Sequence, residues 1–460
     1  MEGCKLNDFE QLYLIKNNIE NEMKKHKLFQ LCKEDAMNTV FEKVGVLSAM
    51  MISAPSQKLQ EYIKRKVATN ATIIDEIDFI QESIKWIGRW SAIYCVDESI
   101  KGIKLFAEEI YDLMGLAYSY DQFYKMWDLH SNHVVKYRKF NNKLVFDYSN
   151  EENYKVHVSY DTLNRKKNES RSLEQIFNVT NLKSDFGLIE QAHRSDFDFG
   201  INFHFDGFDL NEYEIFSTAL NNYIMEKTFG NTSNKVKIVV PGEEGVICYS
   251  KIKWIELMSS KSGLDPEIVT NIISFFTYRY DELNSDLSLT YFLPYKNDSL
   301  LLSEAIYNIQ RPAVNALRIL AKRQSKEYER EQNYFEEIQK KRIIDKINNK
   351  YLVAENITKE QKIRPGMDVL VYDKDYNKLQ VIELKYKIPI ESTRDTANLD
   401  KMLDKAYQQL ESAKKIVCES RETIMQEYFG DEFMGVVPDA IDYFVITNFS
   451  IGTGMNCSTP

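Results

Sequence analysis

Gly366-Met367-Asp368-Val369-Leu370-Val371-Tyr372-Asp373, followed across Lys374-Asp375-Tyr376-Asn377-Lys378 by Leu379-Gln380-Val381-Ile382-Glu383-Leu384-Lys385, decides how the last third of this chain folds. Two runs rich in Val, Leu and Ile flank a polar segment whose Asp and Asn tolerate turn geometry, so the whole reads as a β-hairpin. The hairpin carries Asp368, opening one strand, toward Glu383 and Lys385, closing the next. Side chains alternate along a strand, which puts Glu383 and Lys385 on one face and Leu384 in the opposite layer.

The flanking sequence supplies the rest of an α/β unit. Residues 325–349 read as one helix with Phe335, Ile338, Ile343 and Ile347 at its apolar positions, ahead of the short run Tyr351-Leu352-Val353-Ala354. After Lys385 a polar loop leads to a helix from 398 to about 420, in which Leu403, Ala406, Leu410, Ala413 and Val417 recur at helical spacing. Gln409 lies on that stripe, where a polar side chain is costly unless it finds a partner; Gln408 lies off it. Glu336 shares a helical face with Ile343 and Ile347 and is preferred to Glu337 as the inward-turned acid. Residues 441–448 give one more buried-looking strand.

Two carboxylates on neighbouring strands can share a hard cation such as Mg²⁺, which takes oxygen ligands and keeps several waters. Such an ion lowers the pKa of bound water and neutralises an attacked phosphate, and an ammonium beside it stabilises developing negative charge. The pattern resembles the PD-(D/E)XK, or restriction-endonuclease-like, nuclease superfamily: an acid opens one strand of a hairpin, E-x-K closes the next, and helical Glu and Gln stand upstream and downstream. The resemblance covers roughly the last third of the chain. It implies a central mixed sheet flanked by helices and a Mg²⁺-dependent nuclease, with Mn²⁺ able to substitute, acting on DNA. Asp368 and Glu383 would be the metal ligands, Lys385 would stand beside the attacking water, and Glu336 and Gln409 would support them. Many members act as dimers, because a duplex has two strands to cut. Met367 stands where the pattern has Pro.

Context separates this E-x-K from its copies. Glu22-Met23-Lys24 lies in a polar helical run and Glu360-Gln361-Lys362 in a Lys-rich loop, while Pro438-Asp439 has no E-x-K after it. The plainer reading of Asp368, Glu383 and Lys385 is an exposed cross-strand ion pair at a hairpin edge.

With 43% hydrophobic, 28% charged and 12% aromatic residues in 460, the chain suits two or three globular domains and not a disordered one. We expect three regions: a mainly helical one at 1–140, a mixed α+β one at 141–324 as a docking or DNA-binding unit, and the nuclease-like domain at 325–460. The longest apolar run is too short to span a bilayer and the first residues lack a signal-peptide pattern, which points to a cytoplasmic protein without membrane partners. Six scattered cysteines form neither a C-x-x-C pair nor a zinc set. His130 and His133 read as a surface pair, and the alternation from Phe197 to Phe205 as a wet strand face. Phosphate-loop, dinucleotide and serine-hydrolase motifs are absent, which removes those enzyme classes.

A net charge of −10 runs against nucleic-acid binding, since phosphate affinity comes from Lys and Arg. Basic residues nevertheless crowd the approach to the hairpin, from Arg311, Arg318, Lys322 and Arg323 to Lys340, Lys341 and Arg342, with acids interspersed. The second reading of the whole is a nuclease-like fold kept for binding nucleic acid or a protein partner, with the N-terminal region as a platform for that partner or for another copy of the chain. A large region ahead of such a domain is a layout common in bacterial defence and restriction proteins, a likeness of organisation only.

Overall fold

The computed structural model describes residues 8–53, 56–67, 76–131, 133–140, 143–151, 154–155, 202–229, 245–282, 285–347, 350–355, 358–359, 362–363, 366–386, 393–433 and 435–447. Contacts group the chain into two compact units, residues 1–149 with 167–324 and residues 325–460 with 150–166.

The first unit begins with α1 (Asp8–Met23), α2 (Lys33–Ser53), α3 (Ser56–Lys66), α4 (Glu76–Tyr94) and α5 (Ala107–Ser131). The antiparallel hairpin of β1 (Val135–Phe140) and β2 (Lys143–Tyr148) follows, then a two-residue ribbon of β3 (His204–Phe205) and β4 (Phe208–Asp209), and α6 (Leu210–Phe229). Next come β5 (Val246–Ser250), α7 (Lys251–Ser262), α8 (Pro266–Phe275), β6 (Phe292–Tyr295), β7 (Ser299–Ser303), α9 (Glu304–Asn308) and α10 (Pro312–Arg323). β7 is the middle strand of an antiparallel sheet with β5 and β6.

A division at residue 140 is not where the contacts break. Leu293, Leu301, Ala305, Ile306 and Ile309 are buried in one apolar core with Val40, Phe41, Ile84, Trp90 and Met114. A three-stranded sheet has too little apolar surface to stand alone, so it shares the helices' core. The run from Leu287 reads as strand, yet pairing starts only at Phe292. Asp286 accepts from the backbone N–H of Ser288 at 3.0 Å, which favours a turn there. Asp265 caps α8 by accepting from Glu267 N, with Pro266 in the first turn, as the Asp-Pro pair predicts. Tyr154 and Lys155 are helical where alternation predicts a strand; positions 156–160 and 197–201, and the turn-rich Gly230–Asn234, lie outside the described residues.

The second unit is an α/β layer structure. Its helix α11 (Ser325–Lys346) leads to β8 (Tyr351–Glu355), a short ribbon of β9 (Thr358–Lys359) and β10 (Lys362–Ile363), and the hairpin β11 (Val369–Asp373) and β12 (Lys378–Lys385). Helix α12 (Thr393–Phe429) and β13 (Ala440–Thr447) complete it. The four-stranded sheet has the order β13-β12-β11-β8 and is mixed: β12 runs parallel to β13, and β11 antiparallel to both β12 and β8. The turn at 374–377 closes with Asn377 at φ +47, a left-handed conformation that Asn adopts more readily than most residues.

Strand alternation sorts the two faces. Val369, Val371, Ile382 and Leu384 pack against Ile343, Ile344 and Ile347 of α11. Leu370, Tyr372, Leu379 and Val381 pack against Leu410, Ala413 and Val417 of α12. Each of these buried side chains contributes about 1.5–3 kcal/mol as an upper estimate, so both helices are held by their apolar stripes. α12 departs from helical geometry at Ser420, near the expected end, and then resumes to bury Ile424, Met425 and Phe429.

Candidate active site

The hairpin register sets Val369 opposite Ile382, and Asp368 N donates to Ile382 O at 2.9 Å, so Asp368 stands across from Glu383. Its Oδ2 accepts from Leu384 N at 2.7 Å. Asp368 is therefore anchored to β12 by both backbone and side chain. By alternation Asp368, Glu383 and Lys385 share the α12 side of the sheet, while Leu384 enters the core under α11.

Glu383 is 2% exposed and sits on an interior strand between β11 and β13. That burial is at odds with an exposed ion pair on a hairpin edge. Lys385 Nζ pairs with Glu383 Oε1. Burial first, and the neighbouring Asp368 carboxylate second, push the Glu383 carboxyl up to about 7 against the opposing pull of Lys385. The Asp368 carboxylate lies close enough to Glu383 to drive the Glu383 carboxyl further toward its protonated form.

Gln409 approaches from α12. Gly366 takes φ +80, and a Cβ there would lie 2.3 Å from Gln409 O, so only glycine lets the start of the hairpin reach the helix backbone. Sequence reasoning passed over Gly366, although a Gly two residues before a strand-opening Asp was the available signal. Gln409 Oε1 is buried and has no hydrogen-bond partner among the described residues. Gln408 is exposed, as its place off the stripe predicts.

Glu336 lies half-buried on α11. It shares a helical face with Gln332 and Gln339, whose amides donate to Tyr386 O at 3.2 Å and Ile446 O at 3.4 Å. These bonds bring that face of α11 to the end of the sheet where β12 finishes, while Glu337 points outward and pairs with Lys340 at 2.6 Å. α11 as a whole covers the sheet face opposite the Asp368–Glu383 pair.

The basic cluster is less available than its composition suggests. Lys340 is buried against Glu337, Lys322 pairs with Asp286 at 3.4 Å, and Arg323 pairs with Glu282 at 3.0 Å. Lys341 and Arg342 are exposed. His130 Nδ1 lies 3.0 Å from Val135 O, a local tie between α5 and β1.

Among the described residues no group of three or more His, Cys, Asp or Glu converges as a metal cage, and no helix is long and apolar enough to cross a membrane. A two-carboxylate site still suits Mg²⁺, which is commonly held by one or two carboxylates and its own waters. The raised Glu383 carboxyl and the orphan Gln409 oxygen are the features a cation or its waters would satisfy. Compared with known families, curated proteins and solved structures, the chain matches none of them.

Proposed function

We propose that the second unit is a Mg²⁺-dependent nuclease that hydrolyses phosphodiester bonds of DNA, with its active site at Asp368, Glu383 and Lys385. The observation that carries this reading is the closeness of two carboxyls beneath α12, one of them raised to about 7 by burial first and by the facing Asp368 second, with Lys385 offsetting only part of this. When bound, Mg²⁺ or Mn²⁺ supplies an activated water and neutralises phosphate charge.

Asp368 and Glu383 would hold the ion, and Glu383 would give up its proton as it binds. Lys385 would turn its ammonium from Glu383 toward the attacking water or the phosphate oxygens. Gln409 would offer its unpaired oxygen to a bound water, and Glu336 would act from the sheet end as a supporting acid. A role in bacterial defence or restriction fits the layout of a large first unit ahead of such a domain.

One observation favours the second reading, in which a nuclease-like fold binds nucleic acid or a protein partner without cutting. Lys385 already neutralises part of Glu383, and no third protein ligand joins the pair among the described residues. Isosteric variants separate the two. Asp368→Asn keeps an acceptor for Leu384 N and Glu383→Gln keeps the buried volume, so both should fold and lose DNA cleavage by on the order of 10³-fold. Lys385→Ala should lose about 10²-fold while still binding Mn²⁺ by calorimetry. Cleavage at the parent rate by either carboxylate variant rejects the nuclease. Loss of Mn²⁺ binding in Lys385→Ala alone makes the lysine structural.

A further inference from the structure

In most of the first unit, partly buried cations meet carboxylates. Lys85 and Lys125 pair with Asp121, and Arg279, Lys322 and Arg323 pair with Glu282 and Asp286 around a cavity of about 320 Å³. On the surface made by α6, β5 and α7, exposed lysines lie against aromatic rings. Lys253 Nζ stands 3.8 Å from the centre of the Tyr249 ring, and Lys227 Nζ stands 5.6 Å from it. Lys227 and Lys261 lie 5.8 and 5.4 Å from the centre of the Tyr223 ring.

Glu226 meets Lys261 at 2.7 Å, but among the described residues neither Lys227 nor Lys253 has a carboxylate within ion-pair distance. The first turn of α7 contains no acid. Exposed ammoniums over aromatic faces gain about 0.5–1 kcal/mol, less than a phosphate offers to a charge-assisted hydrogen bond.

The support beneath them is rigid. The Tyr223 and Tyr249 hydroxyls are 2.9 Å apart, and both rings pack edge-on against fully buried Trp254, at 6.3 and 5.2 Å between centroids. The hydrogen bond from Tyr223 first, and Lys227 and Lys253 after it, hold the Tyr249 hydroxyl below its ordinary range against the effect of burial.

We infer that Lys227 and Lys253, carried on the Tyr223–Tyr249 ledge beside the Glu226-paired Lys261, form a surface that binds the phosphate backbone of a nucleic-acid strand. The lysines neutralise phosphates, and the half-buried Tyr249 offers a phenol donor and a ring edge beside them. The choice of nucleic acid over an acidic polypeptide rests on the nuclease reading of the second unit. The surface would give a net-acidic chain a local foothold on DNA that its overall charge denies it.

The test is binding of a labelled short oligodeoxythymidylate to the full chain in EDTA, where a metal-dependent nuclease cannot cut. Lys227→Glu combined with Lys253→Glu should weaken binding about tenfold or more, and the slope of log affinity against log salt should become shallower by about 1.4, two single-strand phosphate contacts. The Gln pair should show the same loss of slope with a smaller loss of affinity and an unchanged melting curve. An unchanged slope in both pairs overturns the proposal, as does polyglutamate competing with the oligonucleotide as well as excess DNA does. Because cleavage is scored separately with Mg²⁺, intact binding without cleavage rejects the nuclease reading and keeps this surface. Intact cleavage with an unchanged slope does the reverse.

Discussion

Asp121 in the first unit and Glu383 in the second are carboxylates buried to the same depth, 1% and 2% exposed, and they are driven in opposite directions. Asp121 receives Lys85 Nζ at 2.6 Å, Lys125 Nζ at 2.8 Å and the Trp86 indole N–H at 2.8 Å. Burial alone would raise its carboxyl, but the two ammoniums outweigh it and hold it at about 2. Glu383 has one ammonium and faces Asp368, and it rises to about 7. Burial sets the size of the stakes, and the sign of the neighbouring charge decides the outcome. A carboxylate with two cations is a finished structural device. One held against another carboxylate is set up to take something more, such as a cation.

The largest effect expected from breaking this contrast is on stability. Asp121→Asn removes the buried carboxylate shared by Lys85 and Lys125, leaves the two to share Glu82, and should cost the first unit about 3 kcal/mol. Glu383→Gln removes a repulsion and should leave the second unit unchanged or more stable at pH 8. All four tryptophans, at 86, 90, 127 and 254, lie in the first unit, so urea unfolding by tryptophan fluorescence reads that unit while far-UV dichroism follows both. Comparable destabilisation by the two variants would erase the distinction.

The pH windows come next. The folded pKa of Glu383 lies above its ordinary 4.5, so the folded state keeps a proton that the unfolded chain releases. Stability of the second unit should fall as pH rises from about 4.5 to about 7, by on the order of 2 kcal/mol, and level off above. Glu383→Gln should flatten that slope, and Mn²⁺ should stabilise the parent protein more at pH 8 than at pH 5.5. For Asp121 the folded value lies below 3.8, so its contribution is complete above that pH and is lost as pH falls toward 2. A second unit that gains stability from pH 5 to 8 without metal would reverse the assignment.

The smallest effect concerns Gln409. Replacing it with Leu removes a buried oxygen that lacks a partner and should stabilise the second unit by about 1 kcal/mol while lowering cleavage. Destabilisation instead would mean that the oxygen is already satisfied in solution.

The second unit was legible because its signals are local. Alternation in Val369–Asp373 and Lys378–Lys385, the apolar stripe Ala406–Leu410–Ala413–Val417 and the turn residue Asn377 each act within a few residues of themselves; the strands formed where their pattern predicts, while the helix, expected at 398 to about 420, runs from Thr393 to Phe429. The first unit was less legible. Its helices and its three-stranded sheet carry ordinary apolar patterns that do not say which partner will cover them, and burial of both in one core is a property of the assembled surfaces.

The sequence by itself determined the hairpin, the face shared by Glu383 and Lys385, and the nearness of Asp368, because turn chemistry and the two-residue period of a strand are written in adjacent positions. Only the tertiary structure decided that Glu383 lies inside the sheet and not at its edge, since β13 arrives to pair with β12 from more than fifty residues further along the chain. The same long-range packing brought Gln409 against Gly366, buried Lys340 out of the basic cluster, and gathered lysines from two helices onto the Tyr223–Tyr249 ledge. Burial and charge pairing depend on what the rest of the chain brings within a few ångströms, and no local period records that.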